Sequence, residues 1–274
     1  MYLDYKDLDI SRRIAKRAGI LALQYWKSGV GVDTKPDASP VTIADRECER
    51  LIASSLEEAF PGDGLLGEEG TSKVSHNGRR WIIDPIDGTR DFVRGNPAWA
   101  VLIALEEAGE VVAGVSYLPA MDEMFSAARG AGAYCNDERI HASDISSASQ
   151  AVLCVNGFNA VQRYEFSTGL IAWMEQFWAV RSMGGCLDAM MVARGQAEVW
   201  IEINGKAWDF APLKIIAEEA GAKYFNFDGG SSIYGGNCVI CAAGLAGMAR
   251  VFVSGAEGNG KSKVKSQKSK GKSF

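Results

Sequence analysis

The most informative stretch of the sequence is Trp81-Ile82-Ile83-Asp84-Pro85-Ile86-Asp87-Gly88-Thr89-Arg90-Asp91-Phe92. It begins with three apolar residues, and a continuous apolar run before a turn signal predicts a strand buried on both faces. Pro85 has no N–H group to donate, so we expect the strand ladder to stop there. Two carboxylates, Asp84 and Asp87, then stand just beyond the strand with the carbonyl group of Ile86 between them.

These three oxygen donors are close in the chain and could surround one point, and Mg²⁺ prefers oxygen ligands. Gly88 permits a close approach of the backbone, and Thr89 adds a hydroxyl and an N–H group. If a helical turn begins there, its N–H groups could hold a phosphate. Asp-Pro-x-Asp-Gly is also typical of an ordinary turn, so this stretch alone leaves both interpretations open.

Composition describes an ordinary soluble globular protein. The chain has 274 residues, enough for one large domain or two closely packed ones, with 47% hydrophobic and 23% charged residues. No apolar run approaches the ~20 residues that a membrane helix needs. The first residues lack the basic and apolar regions of a signal peptide. We therefore expect a cytoplasmic location and no membrane partner.

The six cysteines do not predict a zinc site. Cys238 and Cys241 form a C-x-x-C pair, but the chain has only two histidines, His76 and His141, to complete a ligand set. The run from Cys238 to Ala243 instead predicts a buried strand, in which cysteine behaves as a small apolar residue.

The charge is distributed unevenly along the chain. The net charge is −5, but six lysines and one acid give residues 255–274 a charge of +5, which leaves −10 for residues 1–254. This tail of glycine, serine and lysine has little to bury, so we predict that it is disordered. Aromatic residues do not alternate with its lysines, so we do not expect a nucleic-acid partner.

The first half, residues 1–145, is predicted to be α+β. Apolar spacing near three and four predicts helices over 4–28 and 42–59, the second opened by a capping box from Thr42 to Asp45. A short apolar strand ends in the paired acids Glu68 and Glu69. Four further strands are expected at 99–105, 111–118, 124–127 and 133–135, the first two joined at Ala108-Gly109.

The second half, residues 146–254, alternates between strands and helices, which predicts an α/β layer. A third acidic position, Asp209, follows Trp208 where a helix N-cap is expected, with Pro212 in the first turn. That placement needs no catalytic explanation. Strands are predicted at 152–155, 178–181, 197–203, 222–226 and 238–243, and helices at 161–176, 186–194, 211–220 and 244–252.

Taken together, the motifs resemble the inositol monophosphatase family. The similarity rests on Gly67-Glu68-Glu69, Asp84-Pro85-Ile86-Asp87-Gly88-Thr89 and Trp208-Asp209, in this order and at these separations. The segment from Lys35 to Asp45, the run Arg181-Ser182-Met183-Gly184, and Glu202 seven residues before Asp209 are similar to the same family. The resemblance covers about residues 8–250.

The resemblance implies a layered αβαβα sandwich of the inositol monophosphatase and fructose-bisphosphatase type, usually a homodimer. It also implies Mg²⁺-dependent hydrolysis of phosphate monoesters. By position, Glu68, Asp84 and the Ile86 carbonyl would hold one Mg²⁺ and Asp84, Asp87 and Asp209 a second, while Glu68 contributes to a weaker third. Residues 1–145 would then carry most metal ligands, and residues 146–254 would carry Asp209 and the substrate pocket.

The resemblance also assigns catalytic and substrate-binding roles. Thr89, with Asp45 behind it, would orient or deprotonate a water activated by the metal, and Glu68 belongs to the same catalytic group. The amides of Gly88 and Thr89 would hold phosphate oxygens, since positioning and charge neutralisation dominate phosphoryl transfer. The remaining substrate-binding residues would be Arg181, Gly184 and Glu202.

The substrate is the least determined feature. The stretch from Thr89 to Trp99 is more similar to the histidinol-phosphatase branch than to the inositol branch, which favours histidinol phosphate over inositol 1-phosphate. Gly185-Cys186 departs from that branch, which often has an acid after Gly184. Arg90 and Arg94 are equally consistent with solvation, and Trp99 with core packing. A catalytically inactive relative that binds metal or phosphate is the alternative of another class.

Overall fold

A computed structural model describes residues 5–29, 31–34 and 40–255. Residues 35–39 of the segment from Lys35 to Asp45 and the lysine-rich segment from residue 256 onward lie outside the described residues, so the predicted disorder of the tail stays a prediction. Within the described part, no helix is both long and apolar enough to cross a membrane. The α-helices described are α1 (Tyr5–Ser28), α2 (Ile43–Ala59), α3 (Thr89–Arg94), α4 (Leu170–Met174), α5 (Gly185–Ala193), α6 (Ala207–Glu219) and α7 (Ala246–Val253).

The strands fall into one short pair and two larger sheets. The pair consists of β1 (Val32–Thr34) and β2 (Pro40–Thr42). The first large sheet contains β3 (Gly64–Gly67), β4 (Ser72–Lys73), β5 (Arg79–Asp87), β6 (Ala100–Glu107), β7 (Glu110–Leu118), β8 (Glu123–Ala128), β9 (Gly132–Cys135) and β10 (Glu138–Ile140). The second contains β11 (Val152–Asn156), β12 (Ala179–Arg181), β13 (Val199–Glu202), β14 (Lys223–Phe225) and β15 (Cys238–Cys241).

The order of the strands places the central stretch inside the first sheet. That sheet runs β10-β9-β8-β7-β6-β5-β3-β4, and β5 pairs in parallel with β3 and antiparallel with β6. The second sheet runs β12-β11-β13-β15-β14, and β11 pairs in parallel with both of its neighbours. Strand β5 therefore lies between two strands up to Ile83, and its end, from Asp84 to Asp87, pairs with β6 alone.

The alternation of side chains builds five layers. Successive residues of a strand face opposite sides of the sheet. On β6, Val101 and Ile103 pack with α1 and α2, whereas Leu102 and Ala104 pack with α5, α6 and Trp200 of the second sheet. The other face of the second sheet packs against α4 and α7. The expected αβαβα sandwich is thereby confirmed, with α5 and α6 as its middle layer.

Several local expectations are also confirmed. Thr42 caps α2 in a capping box with Asp45. The turn between β6 and β7 uses positive φ angles at Ala108 (52°) and Gly109 (83°), as a two-residue hairpin connection requires. Cys238 and Cys241 are free cysteines, fully buried in β15.

The prediction that Pro85 stops the ladder is wrong. Strand β5 runs from Arg79 to Asp87, and its register against β6 shifts between Asp84 and Asp87. One extra residue on β5 makes a bulge, and a bulge leaves a residue without a ladder bond. Proline has no N–H group, and it is tolerated in the bulge because no ladder hydrogen bond is required there.

Two helix predictions in the second half also need correction. The predicted helix at 161–176 is instead the 3₁₀ segments Phe158–Arg163 and Glu165–Gly169 followed by the short α4. Ser, Thr and Gly at 167–169 are poor helix formers, which favours this broken geometry. Helix α6 begins at Ala207, so Asp209 is its third residue and Lys206 its N-cap. Two further 3₁₀ segments are Ala148–Gln150 and Ala243–Leu245.

Candidate active site

The bulge at the end of β5 holds the first predicted oxygen ligands. Asp84 is 1% exposed, and its Oδ1 accepts the N–H of Ile86 at 3.0 Å. That hydrogen bond closes the turn around Pro85, on the short segment that carries both Asp84 and Asp87. Ile86 itself is fully buried among the residues that pack with α1 and α2. Core packing of its side chain thus fixes the position of the carbonyl group that the sequence proposed as a ligand.

Helix α6 brings Asp209 to the same place. Carboxylate oxygens of Asp84, Asp87 and Asp209 all lie within 4.8 Å of one another. Asp209 also accepts the N–H of Lys206 at 2.7 Å. A Cβ added at Gly205 would clash with the Phe210 ring and lie 3.1 Å from that carboxylate, so glycine leaves room for both. We call Asp84, Asp87 and Asp209 the aspartate cluster.

Burial and mutual repulsion perturb all three aspartates. Burial raises the pKa of Asp84 and Asp209 well above the usual range, and neighbouring carboxylates raise both further. Burial raises the pKa of Asp87 to about 6, although hydrogen bonds from Cys186 oppose the increase. Three acids within contact distance of one another are costly to ionise unless a cation joins them. A hard divalent cation suits this set of oxygen donors.

Glu68 lies beside the cluster but outside its closest set. Parallel pairing of β3 with β5 places Gly67 opposite Ile83, and the N–H of Glu68 donates to the Ile83 carbonyl at 3.1 Å. The charge of Glu68 contributes to the raised pKa of every cluster aspartate, and its side chain hydrogen-bonds Asp84. The position of Glu68 is compatible with its predicted role as a metal ligand.

Thr89 and Asp45 form the second functional pair. Thr89 is the first residue of α3, and its hydroxyl lies 3.3 Å from Asp45 Oδ1 and 3.2 Å from the Ile86 carbonyl oxygen. The other oxygen of Asp45 accepts the backbone N–H and the hydroxyl of Thr42 at 2.7 and 2.6 Å. The capping box therefore has a second effect, because it leaves one Asp45 oxygen directed to Thr89.

The substrate-side residues lie at the ends of the second sheet. Glu202 is the last residue of β13, and its carboxylate accepts the N–H of Asn204 at 3.1 Å. Burial raises its pKa to about 7, and the charge of Asp87 adds to this increase. A Cβ added at Gly157, where φ is +77°, would lie only 2.7 Å from Glu202, so this glycine makes room for the carboxylate.

Among the described residues, we observe no contact between Arg181 and Glu202 or the aspartate cluster. Arg181 is exposed, and its guanidinium donates to the neighbouring Val180 carbonyl at 2.8 Å. Gly184 lies closer to the motif, since an added Cβ would lie 3.0 Å from Ala98. Arg90 and Arg94 are exposed, and Trp99 is fully buried in the core beneath α1 and α2.

Sequence reasoning missed three polar residues that support the site. Buried Glu49 on α2 accepts the N–H groups of Glu69 and Thr71 at 2.7 and 2.8 Å. Cys186 on α5 hydrogen-bonds Asp87, and Asp188 is fully buried four residues after Gly184. Glu49 follows Asp45 by one helical turn on an apolar face, and Asp188 is the acid in an apolar helix. The sequence pattern could therefore have indicated Glu49 and Asp188, whereas nothing in the sequence indicated Cys186.

Comparisons with known proteins agree with this geometry. The model of the inositol monophosphatase family matches residues 5–257. The chain is 39% identical over 251 residues to a histidinol-phosphatase of Chlorobaculum parvum, covering 88% of this chain and 93% of the relative. It is 36% identical to an inositol-1-monophosphatase of Rhizobium meliloti, covering 77% and 80%. A solved IMPase of Thermotoga maritima superposes with a TM-score of 0.83 at 31% identity, covering 91% and 97%.

Proposed function

The chain belongs to the inositol monophosphatase family and is a phosphatase of that family, and from this premise we propose that it is a Mg²⁺-dependent hydrolase whose preferred substrate is histidinol phosphate. The observation that carries the proposal is the aspartate cluster beside the Thr89–Asp45 pair. Cation ligands and a hydroxyl–carboxylate relay are the two parts that hydrolysis by an activated water requires.

The donor set fits Mg²⁺. Carboxylate oxygens from Asp84, Asp87 and Asp209, together with the Ile86 carbonyl and Glu68, would hold two ions and a weaker third, as the family resemblance implies. When bound, Mg²⁺ would neutralise phosphate charge and make a water molecule easier to deprotonate. Its charge would also lower the raised pKa values of the aspartates, so all of them could ionise together.

The chain's own residues then orient the attack. The Thr89 hydroxyl donates a hydrogen bond to Asp45 and can accept one from the attacking water. Hydrolysis forms a bond between the water oxygen and phosphorus and breaks the bond from phosphorus to the alcohol oxygen, which takes up a proton from solvent water and leaves as the alcohol. The proton of the water moves toward Thr89 and Asp45. The amides of Gly88 and Thr89 would hold phosphate oxygens, and Glu68 would help to position the water.

Glu202 is the basis for choosing among esters. It lies beside Asp87 on the alcohol side, with Gly184 and Arg181 as the other proposed contacts. Histidinol phosphate carries an ammonium group, whereas inositol 1-phosphate offers only hydroxyl groups there. A partly desolvated carboxylate pairs better with a cation than with a neutral hydroxyl. The match to a named histidinol-phosphatase over more of the chain supports the same choice. We also propose a homodimer, as the resemblance implies.

The test is kcat/KM for histidinol phosphate and inositol 1-phosphate, measured side by side with Mg²⁺ and with EDTA. We expect at least a tenfold preference for histidinol phosphate and no turnover in EDTA. A preference for the inositol ester would overturn the substrate and leave the phosphatase assignment in place. Hydrolysis of neither ester, with p-nitrophenyl phosphate still cleaved, would indicate a third monoester. No hydrolysis of any of the three would favour an inactive binding relative.

A further inference from the structure

Asp188 is a buried acid that the proposed reaction does not use. It lies in the first turn of α5 and is fully buried. Its carboxylate points back along the chain and accepts the N–H groups of Met183 and Gly184, at 3.0 and 3.3 Å from Oδ2. Met183 also lies 3.3 Å from Oδ1. Asp188 thus holds the backbone of residues 182–184, which join β12 to α5; we call them the 182–184 loop.

The same carboxylate is anchored to the second sheet. Cys154 and Asn156 of β11 both hydrogen-bond Asp188. Asn156 also donates to the Ser182 hydroxyl at 3.1 Å, and it accepts the indole N–H of Trp200. A buried carboxylate with several donors is well satisfied, and removing it would leave those donors without their acceptor. The 182–184 loop is therefore fixed to β11 through two links, one at Asp188 and one at Asn156.

The 182–184 loop also packs closely against Ala98, which in turn packs against Gly88 of the central motif. Gly184 has φ of +149°, and a Cβ added there would lie 3.0 Å from the Ala98 Cβ and 3.3 Å from its carbonyl oxygen. A Cβ added at Gly88 would lie 2.9 Å from the same carbonyl oxygen. Gly184 and Gly88 therefore both approach Ala98 closely. Because interiors are densely packed, the contact with Ala98 limits how far the loop can approach the motif.

The loop also borders the alcohol side of the site. Gly185, the next residue, would carry a Cβ 3.6 Å from the Glu202 carboxylate. The position of the loop backbone thus sets the space between Glu202 and the phosphate-holding motif. A loop that is not held could vary this space by a fraction of an ångström, and such misplacement is known to be costly in catalysis.

We propose that Asp188 is a positioning residue which fixes the 182–184 loop and thereby sets the discrimination between phosphate monoesters. The inference rests on the proposed function for its substrate, but its structural part does not. An ester whose alcohol portion must fit beside Glu202 depends on the loop, whereas p-nitrophenyl phosphate, with a flat and activated leaving group, depends mainly on the metal side.

The experiment compares Asp188→Ala with Asp188→Asn, which keeps one acceptor oxygen for the loop amides. Asp188→Ala should raise KM for the preferred ester at least tenfold and leave kcat/KM for p-nitrophenyl phosphate within about threefold. Asp188→Asn should recover a large part of the loss. Hydrogen exchange of a peptide containing Met183 and Gly184 should be slow in the wild type, fast in Asp188→Ala and intermediate in Asp188→Asn.

Glu198→Ala is the matched control, because Glu198 is a buried acid of the same half that accepts a backbone N–H, from Val152 at 2.6 Å, away from the loop. It should change neither the ratio of the two substrates nor exchange in the loop. Equal losses for both substrates in Asp188→Ala would overturn the inference, as would unchanged exchange at Met183 and Gly184. If the wild type cleaves neither named ester, the proposed substrate fails, and the exchange data alone decide whether Asp188 holds the loop.

Discussion

The metal side and the alcohol side of the site are built on different principles. On the metal side, most of the proposed ligands come from one short segment of β5, and their carboxylates repel one another within a buried space. On the alcohol side, contributions come from β11, β13 and the 182–184 loop, and the buried acid Asp188 is surrounded by neutral donors. Charge therefore dominates the first side and hydrogen-bond geometry the second.

This difference indicates where the protein sacrifices stability. Ionised aspartates in the cluster are unfavourable without a cation, because burial and like charges both raise their pKa. Asp188 is also buried, but hydrogen bonds from Met183 and Gly184 offset part of that effect. Substitutions that remove charge should consequently act differently on the two sides, and the following experiments use this contrast.

The largest effect is expected from Asp84→Asn and Asp209→Asn. An amide is a neutral and weaker Mg²⁺ ligand, so each variant should lose activity by on the order of a hundredfold or more. Turnover of the preferred ester at saturating Mg²⁺ measures the loss. The same variants should unfold at a higher temperature than the wild type in EDTA, because one repelling charge has been removed.

The matched control is Asp228→Asn, which neutralises an exposed aspartate in the loop after β14. It should keep wild-type turnover and wild-type melting in EDTA. Wild-type turnover in either cluster variant would contradict the ligand assignment and would remove the contrast between the two sides.

Sequence reasoning is most informative where the residues of a motif are contiguous, although the predicted ligand roles stay predictions. Asp84, Ile86 and Asp87 share one motif, and the periodicity of apolar residues predicted the helices α1 and α2 that cover it. It failed where the outcome depends on tertiary context. The bulge that accommodates Pro85 requires the partner strand β6. Helix α6 starts earlier than predicted, because its N-cap is Lys206 and not one of the usual capping residues, while Asp209 accepts the Lys206 N–H from the third helical position.

The alcohol side shows the same limit more strongly. The hydrogen-bonded group on this side consists of Asp188, Asn156 and Ser182, which come from separate parts of the chain. Their spacing in the sequence does not predict that they lie close together. Gly185 and Cys186 follow Gly184 directly, and the carboxylate of Asp188, four residues after Gly184, is directed back to the loop amides.

An intermediate effect is expected from Glu202→Gln, measured as stability in EDTA. Burial raises the pKa of Glu202 from 4.5 to about 7. The folded state binds this proton more tightly than the unfolded state, so the wild type loses stability as pH rises from 4.5 through 7. Because glutamine cannot ionise, the variant should gain at most about 3 kcal/mol over the wild type at pH 8 and little at pH 5.

Thermal melting at both pH values tests this expectation, with Glu175→Gln, an exposed acid of the same half, as the control. An equal difference between Glu202→Gln and the wild type at pH 5 and pH 8 would show that Glu202 is not held in a raised-pKa environment. The alcohol side would then lack the one charge-sensitive group that we assign to it.

The smallest effect is expected from Glu49→Gln, which tests whether the metal side also depends on hydrogen-bond geometry. Glu49 uses one oxygen for the N–H of Glu69 and the other for that of Thr71. A Cβ added at Gly67 would lie 2.6 Å from this carboxylate, so α2 and the turn that follows β3 fit closely together. Glu68 lies within that turn, and its position therefore depends on Glu49.

Glutamine keeps one acceptor but directs an NH₂ group at a backbone N–H donor, so one bond is lost and the turn can move. A net loss of about 1 kcal/mol per bond corresponds to a change of several-fold, and we expect the Mg²⁺ concentration for half-maximal activity to rise by about fivefold. Maximal turnover at high Mg²⁺ should change less, because the ligands themselves remain. Glu58→Gln, on an exposed position of the same helix, should leave the Mg²⁺ titration unchanged. A wild-type titration for Glu49→Gln would mean that the aspartate cluster alone sets metal affinity, and the contrast between a charge-dominated and a geometry-dominated side would become sharper.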